Sequence, residues 1–259
     1  MIFSGHPTVI GHRGSGSGVV DGHDENTLAS FLAAAEGGVD WVEVDVRRTG
    51  DDGLVVRHNA AYDDGAHVAD VGSAAAAARG TLGLDDLLDA LPQSVGVHFD
   101  LKTCIDDALL APEVSTVGLL ARVASVEAGR RPVLVASFDP AALLAVRELA
   151  PDLATGWTTW TSFPTEHAVA AVAHLDVQVL ALHQGSLRET GYEPLDNQRD
   201  LDKIVDHLHK ARRQLLVWCP GGAELVRAAG AGVDAVCVDD VAASLAELGR
   251  SEGADGATG

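Results

Sequence analysis

The sequence predicts an α/β fold, a (β/α)8 TIM barrel, and three observations predict it. Eight short apolar runs rich in β-branched residues alternate with Ala- and Leu-rich helical patterns along the chain. The length of 259 residues suits a single barrel domain. No glycine-rich dinucleotide fingerprint or P-loop follows any run. This last point disfavours a doubly wound open sheet, although periodicity alone does not show that a sheet closes.

The strands are predicted where short apolar runs are bounded by turn residues or charges. In chain order they cover residues 8–12, 41–46, 95–101, 133–137, 153–157, 177–182, 215–218 and 235–238. Helical patterns separate these runs, and one more follows the last. They cover residues 26–36, 84–91, 113–128, 141–149, 166–174, 201–213, 223–229 and 242–248.

The segment after the second strand departs from simple alternation. Turn residues 49–53 lie between two strand-like runs, so residues 54–58 are expected to return antiparallel beside the second strand. The chain then makes a short excursion, over about residues 49–80 in all. We expect residues 1–249 to form one barrel domain and the Gly-, Ala- and acid-rich residues 250–259 to be a flexible tail.

The composition of the chain limits the kinds of molecule that it is expected to bind. The chain has 18 Lys and Arg against 38 Asp and Glu, a formal net charge of −20. Nucleic-acid phosphates and anionic lipid surfaces would repel such a protein. No apolar stretch is long enough to span a membrane and no secretory signal is visible, so we expect a cytoplasmic protein without integral membrane association. Cys104, Cys219 and Cys237 are isolated and are expected to be reduced. No feature indicates an oligomeric state.

Acidic residues cluster at the predicted strand ends, where a barrel carries its active site. Glu43 and Asp45 share one face of the second strand, and Asp100 ends the strand after the excursion. Carboxylates gathered inside a barrel need a cation between them, and oxygen-only ligands favour Mg²⁺ or Ca²⁺. The alternative is that Glu43 and Asp45 face outward as ordinary solvated acids.

Two histidines are expected beside these acids. If the hairpin turn is centred near Asp51, paired residue numbers sum to about 101 or 102, which places His58 opposite Glu43 or its neighbour. His12 ends the first strand. Imidazoles suit acid–base catalysis near neutral pH, although either residue could be structural. Arg13 and Lys102 would supply positive charge for an anionic group. A metal, two histidines and two cations together suit phosphoryl chemistry.

An ordered set of short motifs covers nearly all of residues 8–241. In chain order the motifs are His12-Arg13-Gly14, Asp24-Glu25-Asn26-Thr27, Glu43-Val44-Asp45, His58-Asn59, Asp100-Leu101-Lys102, Ser137-Phe138-Asp139, Val217-Trp218, Gly232-Val233-Asp234 and Asp239-Asp240. Together they resemble the glycerophosphodiester phosphodiesterase family, whose fold is a (β/α)8 barrel.

The resemblance implies roles for these positions. It implies His12 and His58 as the acid–base pair, and a divalent cation, Mg²⁺ or Ca²⁺, as cofactor. The site residues that it implies are Glu43, Asp45 and Asp100 for the cation, Arg13 and Lys102 for the phosphate, Trp218 for the organic part of the substrate, and Glu25 as a metal ligand or a support. The implied reaction is attack by the substrate's own hydroxyl, which gives a cyclic phosphate that water then opens.

The chain departs from the family pattern at three places. Asp100 replaces the usual Glu, Asn59 replaces the Asp after the second histidine, and Cys219-Pro220-Gly221 follows Trp218. Trp157, Trp160 and His183 at later strand ends either line an unusual pocket or pack under loops. His98 shares a face with Asp100 and is expected to be a hydrogen-bonded interior residue.

The sequence therefore predicts metal-dependent hydrolysis of a small phosphodiester. The alternatives are a lysophospholipase-D-like hydrolase acting on a single-chain lipid and a non-catalytic phosphodiester-binding barrel. A different metal-dependent barrel hydrolase, with His-x-His on the first strand, is disfavoured because Arg13-Gly14 follows His12.

Overall fold

The structure, a computed structural model, describes residues 1–4, 7–187 and 199–250. Twelve strands lie within these residues. They are β1 (Thr8–Gly11), β2 (Val19–Val20), β3 (His23–Asp24), β4 (Trp41–Arg48), β5 (Leu54–Val56), β6 (Leu82–Gly83), β7 (Gly96–Leu101), β8 (Val133–Ser137), β9 (Ala154–Thr158), β10 (Val179–His183), β11 (Gln214–Trp218) and β12 (Ala235–Val238).

Nine α-helices lie in the same ranges. They are α1 (Leu28–Glu36), α2 (Ser73–Ala78), α3 (Leu84–Ala90), α4 (Thr116–Glu127), α5 (Pro140–Leu149), α6 (Thr165–Leu175), α7 (Leu201–Lys210), α8 (Ala223–Gly230) and α9 (Val241–Glu247). Short 3₁₀ turns cover Val68–Asp70, Ile105–Leu109, Pro112–Val114 and Gln184–Leu187.

Eight parallel strands close into a barrel, which confirms the predicted fold. Going round the barrel, the order is β1, β4, β7, β8, β9, β10, β11 and β12. Strand β1 closes the circle because it pairs with β12 on one side (Thr8 with Ala235) and with β4 on the other (Ile10 with Trp41). Each barrel strand is buried on both faces, as parallel strands covered by helices are.

The amino-terminal end of the barrel is filled. An interior cluster around Ile10, Trp41 and Leu216 occupies this end, and Phe3 packs edge-on against Trp41. The amide nitrogens of Ile2 and Phe3 donate to Oε1 of Gln214 (2.6 and 3.0 Å), which anchors the first residues across the barrel floor. Open space inside the barrel is therefore found toward the carboxyl ends of the strands.

The hairpin after the second barrel strand is confirmed. Strand β5 pairs antiparallel with β4, with Val46 opposite Val56, so the paired numbers sum to 102. Strand β6 continues this sheet outward. The excursion has its own small core of Val55, Tyr62, Val68 and Ala76, and includes α2.

The structure differs from the predicted elements in two places near the first strand. Strand β1 ends at Gly11, before His12, because the chain turns sharply there: a Cβ on Gly11 would lie 2.1 Å from the Gly14 carbonyl oxygen. Strands β2 and β3 form a tiny hairpin that was not predicted. Its turn is Asp21-Gly22, both with positive φ (50° and 83°), as a type I′ turn requires.

None of the helices in the described ranges combines the length and the apolar character needed to cross a lipid bilayer. The predicted tail beyond Arg250 lies outside the described residues.

Candidate active site

A cavity of about 540 Å³ opens at the carboxyl ends of the barrel strands. Eight of the nine predicted site residues line it, and the ninth, Glu25, contacts Arg13 beside it. The eight are His12, Arg13, Glu43, Asp45, His58, Asp100, Lys102 and Trp218. The ends of β1, β4, β7 and β11 thus bring together residues that are far apart in the chain.

The three carboxylates converge inside the barrel. Glu43 and Asp45 point inward from β4, and Asp45 lies directly opposite Asp100 on β7. One oxygen from each carboxylate lies within 4.8 Å of the other two. All three residues are buried, Glu43 to 4% exposure. The alternative that Glu43 and Asp45 are solvated outward-facing acids is therefore wrong.

Burial and neighbouring charges give these three acids different pKa values. Burial acts to raise the pKa of Asp45, but Lys102, Arg13 and a hydrogen bond from Asn26 outweigh it and lower this pKa to about 2. Burial and the charge of Asp45 raise the pKa of Glu43 to about 8. Burial also raises the pKa of Asp100, despite the nearby Lys102. Without a cation among them, the three acids cannot all ionise at little cost.

Lys102 and Arg13 partly balance this charge. The Lys102 ammonium lies 2.9 Å from Oδ1 of Asp45 and also contacts Oδ2 of Asp100. The guanidinium of Arg13 donates to Oε1 of Glu25 (2.8 Å), and its Nε lies 3.2 Å from Oδ2 of Asp45. If all three carboxylates were ionised, these two cations would leave one formal negative charge on the inner part of the site.

The donor set fits a hard divalent cation. The ligand atoms are all carboxylate oxygens, which Mg²⁺ and Ca²⁺ prefer. Oδ1 of Asp100 is buried and has no hydrogen-bond partner among the described residues. A buried carboxylate oxygen without a partner is costly, and a bound cation would remove this cost.

The loop after β1 is shaped around these acids. Arg13 adopts a left-handed backbone conformation (φ 54°), which directs its amide N–H to Oε2 of Glu43 at 3.0 Å. Asn26, also left-handed (φ 58°), donates from its side chain to Oδ2 of Asp45 at 2.9 Å and from its backbone to the Arg13 carbonyl. Both residues therefore fix the carboxylates of β4 from the neighbouring loop.

His12 is held by an acid of its own. Its Nδ1–H donates to Oδ1 of Asp239 at 2.5 Å, which leaves Nε2 directed into the site, 3.9 Å from Oε2 of Glu43. Burial acts to lower the pKa of His12, but the hydrogen bonds to Asp239 and Cys219 and the charge of Glu43 raise it well above its usual range. Asp239 thus favours the imidazolium form.

His58 reaches the cavity from the loop after β5. Its backbone carbonyl accepts hydrogen bonds from the Arg47 side chain (2.9 Å to Nε), and its Nδ1 lies 2.9 Å from Oδ1 of Asn59. His58 and Asp45 line the same cavity. In the hairpin register of 102, His58 corresponds to Val44, whose side chain points away from the barrel interior. His58 comes to the cavity because the strand has ended at Val56.

An aromatic wall faces the charged residues. Phe138 packs on Trp160 (ring centroids 4.7 Å apart) and edge-on against Trp218 (5.9 Å), and His183 lies against Trp218 at 4.3 Å. Trp160 remains 66% exposed at the rim. Trp157 does not join this wall, since it packs on Phe163 as an ordinary core residue.

Sequence reasoning assigned no site role to Asn26, Phe138, Cys219 or Asp239, although each belongs to or adjoins a quoted motif. The expectation for His98 was wrong. It is 4% exposed and lines the cavity, yet neither ring nitrogen has a hydrogen-bond partner among the described residues. Burial lowers its pKa to about 3, with His12 and Lys102 adding to the effect, so the ring is neutral.

Comparisons with known proteins agree with this geometry. The model of the glycerophosphoryl diester phosphodiesterase family matches residues 12–243. A segment of 62 residues is 40% identical to "Probable glycerophosphodiester phosphodiesterase 1" of Mycobacterium tuberculosis. This alignment covers 24% of the chain and about a fifth (21%) of that curated relative.

Solved structures share the fold. A Galdieria sulphuraria protein provisionally described as a glycerophosphodiester phosphodiesterase superposes with a TM-score of 0.77 at 19% identity, covering 94% of this chain and 98% of its own. An Oleispira antarctica phosphodiesterase, solved with the product sn-glycerol-3-phosphate, gives 0.70 at 24% identity, covering 90% and 93%. At such identities the likeness shows the fold alone.

Proposed function

Because the chain belongs to the glycerophosphoryl diester phosphodiesterase family, we propose that it hydrolyses glycerophosphodiesters, or a related small phosphodiester, to a phosphomonoester and an alcohol. The observation that carries the proposal is the convergence of Glu43, Asp45 and Asp100 within 4.8 Å, beside a histidine held by a carboxylate. A divalent cation held by these three acids would supply Lewis-acid polarisation of the phosphoryl oxygens.

The phosphate is held by Arg13 and Lys102 in this proposal. Both cations line the cavity, and both already contact Asp45. A fixed guanidinium and a fixed ammonium stabilise charge that develops on phosphoryl oxygens, because they are oriented before the reaction begins. Glu25 supports this arrangement by holding the far side of the Arg13 guanidinium.

We assign His12 as the general acid. Its Nε2 faces the cavity, and Asp239 on Nδ1 favours the imidazolium, whose Nε2–H would donate its proton to the leaving oxygen. His58 would take the proton of the attacking hydroxyl. Its Nδ1 lies against the neutral Asn59, and within the described residues no carboxylate of the kind that supports His12 is hydrogen-bonded to its ring.

The organic part of the substrate would lie along Trp218 and Phe138. The exposed Trp160 extends this wall to the rim and favours a second candidate, a lysophospholipase-D-like reaction on a single-chain lipid. Comparing kcat/KM for glycerophosphocholine and lysophosphatidylcholine distinguishes the two. We also propose a cytoplasmic location, which the three free cysteines support.

The test is turnover of glycerophosphocholine and bis(p-nitrophenyl) phosphate with Mg²⁺, Ca²⁺ or chelator. We expect metal-dependent hydrolysis that falls by about 10² to 10⁴ in His12→Ala. His174→Ala, at an exposed position on α6, is the matched control and should keep full activity. Tight diester binding without turnover in the unmodified protein would instead identify a non-catalytic binding barrel.

A further inference from the structure

Three metal-ligating side chains of different chemistry meet on the side of His12 that faces away from the carboxylate cluster. His12, Cys219 and Asp239 follow three adjacent strands, β1, β11 and β12. Sγ of Cys219 lies 3.8 Å from Nδ1 of His12, and Oδ1 of Asp239 lies 2.5 Å from the same nitrogen. One donor atom from each lies within 4.8 Å of the other two.

The local backbone holds Cys219 in this position. Cys219 has a left-handed conformation (φ 54°), and its amide N–H donates to the Cys237 carbonyl at 2.8 Å. This backbone conformation and hydrogen bond hold Cys219 beside His12. Neither of the other two cysteines, Cys104 and Cys237, belongs to this cluster.

We propose that His12, Cys219 and Asp239 form a second cation site, selective for a borderline-soft divalent ion such as Zn²⁺, and that occupation of this site inhibits the enzyme. Thiolate, imidazole and carboxylate are the usual ligands of zinc. Neighbouring Glu43, Asp45 and Asp100 offer oxygen alone and suit a hard ion. The two clusters therefore differ in the metal that each prefers.

The distances accommodate such an ion with one local adjustment. At usual zinc bond lengths, two ligands of a tetrahedral site lie about 3.3 to 3.6 Å apart. The sulfur–nitrogen distance is already close to this range. The oxygen–nitrogen distance must widen by nearly 1 Å, and the Asp239 side chain is 42% exposed and so has room to turn. Three protein ligands leave a fourth position for water.

Inhibition follows from the position of the ion on His12 and rests on the proposed function. Binding releases the thiol proton of Cys219 and the proton that Nδ1 shares with Asp239. The metal–nitrogen bond then replaces the hydrogen bond that supports the imidazolium. The ring is then a neutral, metal-bound imidazole and no longer an imidazolium, so its Nε2–H is a much weaker acid and does not protonate the leaving oxygen. The ion thus prevents proton transfer by His12 without occupying the site formed by Glu43, Asp45 and Asp100.

Two measurements test the site. With saturating Mg²⁺ present, Zn²⁺ should inhibit diester hydrolysis, and Cys219→Ser should raise the inhibitory Zn²⁺ concentration at least about tenfold. The activity of each protein is expressed relative to its own rate without Zn²⁺. Cys104→Ser is the matched control and should keep the original zinc sensitivity. Co²⁺, as a spectroscopic probe, should give a thiolate-to-cobalt charge-transfer band in the unmodified protein and in Cys104→Ser, but not in Cys219→Ser.

The cobalt band needs no turnover, so it separates this proposal from the proposed function. A band without diester hydrolysis would keep the site and refute the hydrolase. Equal zinc sensitivity in Cys219→Ser and the unmodified protein, or the absence of the band, would overturn the site.

Discussion

Replacing Glu43 by glutamine tests the electrostatics of the candidate active site through stability alone. Glutamine keeps a carbonyl oxygen that can accept the amide hydrogen bond of Arg13, now at 3.0 Å, but it cannot ionise. Any difference in pH dependence between the variant and the unmodified protein therefore reports the charge of Glu43. The comparison is made first in chelator, so that no divalent cation contributes.

The magnitude follows from the raised pKa of Glu43, about 8 in the folded protein against an ordinary value of 4.5. A carboxyl whose folded pKa lies above its unfolded pKa binds its proton more tightly in the folded state. The stability it contributes is fully present below about pH 4.5 and is lost as the pH rises to about 8. At about 1.36 kcal/mol per pH unit, the loss by pH 7 is about 3 kcal/mol.

The assay is urea denaturation at pH 5 and pH 8. The unmodified protein should lose about 3 kcal/mol more stability than Glu43→Gln between these two values. Added Mg²⁺ or Ca²⁺ should restore the unmodified protein at pH 8 and help the variant much less, because the cation stabilises the ionised carboxylate. Parallel pH dependence in the two proteins would refute the reasoning about buried charge at this site.

Three further predictions concern other buried groups. Asp100→Glu should keep diester hydrolysis measurable in a steady-state assay, and complete loss would mean that the cation position depends on the shorter acid. Arg131→Met should lower the free energy of unfolding by about 3 kcal/mol in a urea titration, because it removes the buried guanidinium that contacts the Glu127 carboxylate and donates to backbone carbonyls. Glu127 keeps Arg130 as a charged partner, and activity per folded molecule should stay unchanged. His98→Leu should raise the free energy of unfolding by about 1 to 3 kcal/mol, since it removes two buried unpartnered nitrogens; a drop would show that the imidazole is hydrogen-bonded in solution.

The sequence predicted the barrel well because its strands are buried on both faces. Such strands form apolar runs that contrast with the helices between them, and two of the eight, β8 and β12, match their predicted bounds. The β2–β3 hairpin was missed because two-residue strands are too short for periodicity to reveal, although Val-Val-Asp-Gly carries a recognised turn signal. Strand β1 was predicted one residue too long because a sharp turn leaves no mark on hydrophobicity.

The site residues that lie at strand ends could be predicted from the sequence. The contacts that depend on loop conformation could not. Alternation along β4 and the neighbouring position of β7 were enough to bring Glu43, Asp45 and Asp100 together. The contacts of Asn26 and Cys219 required left-handed backbone conformations, which residue patterns do not specify for non-glycine residues. His98 was misread because the strand pattern shows which face a side chain occupies but not whether partners reach it.

Asp100 is one methylene shorter than the glutamate usual in the family, and the pairing of β4 with β7 compensates for this difference. Asp100 lies directly opposite Asp45 in the β4–β7 ladder, and paired residues of adjacent strands point to the same face. This pairing brings its carboxylate within 4.8 Å of the other two even without the extra methylene of a glutamate. Lys102 contacts both acids at once, which requires the same short separation. The described part of the chain shows no such compensation around His58 for the loss of charge at Asn59, whereas His12 keeps Asp239. The two histidines are therefore electrostatically unequal, and this inequality is the reason to assign the acid to His12 and the base to His58.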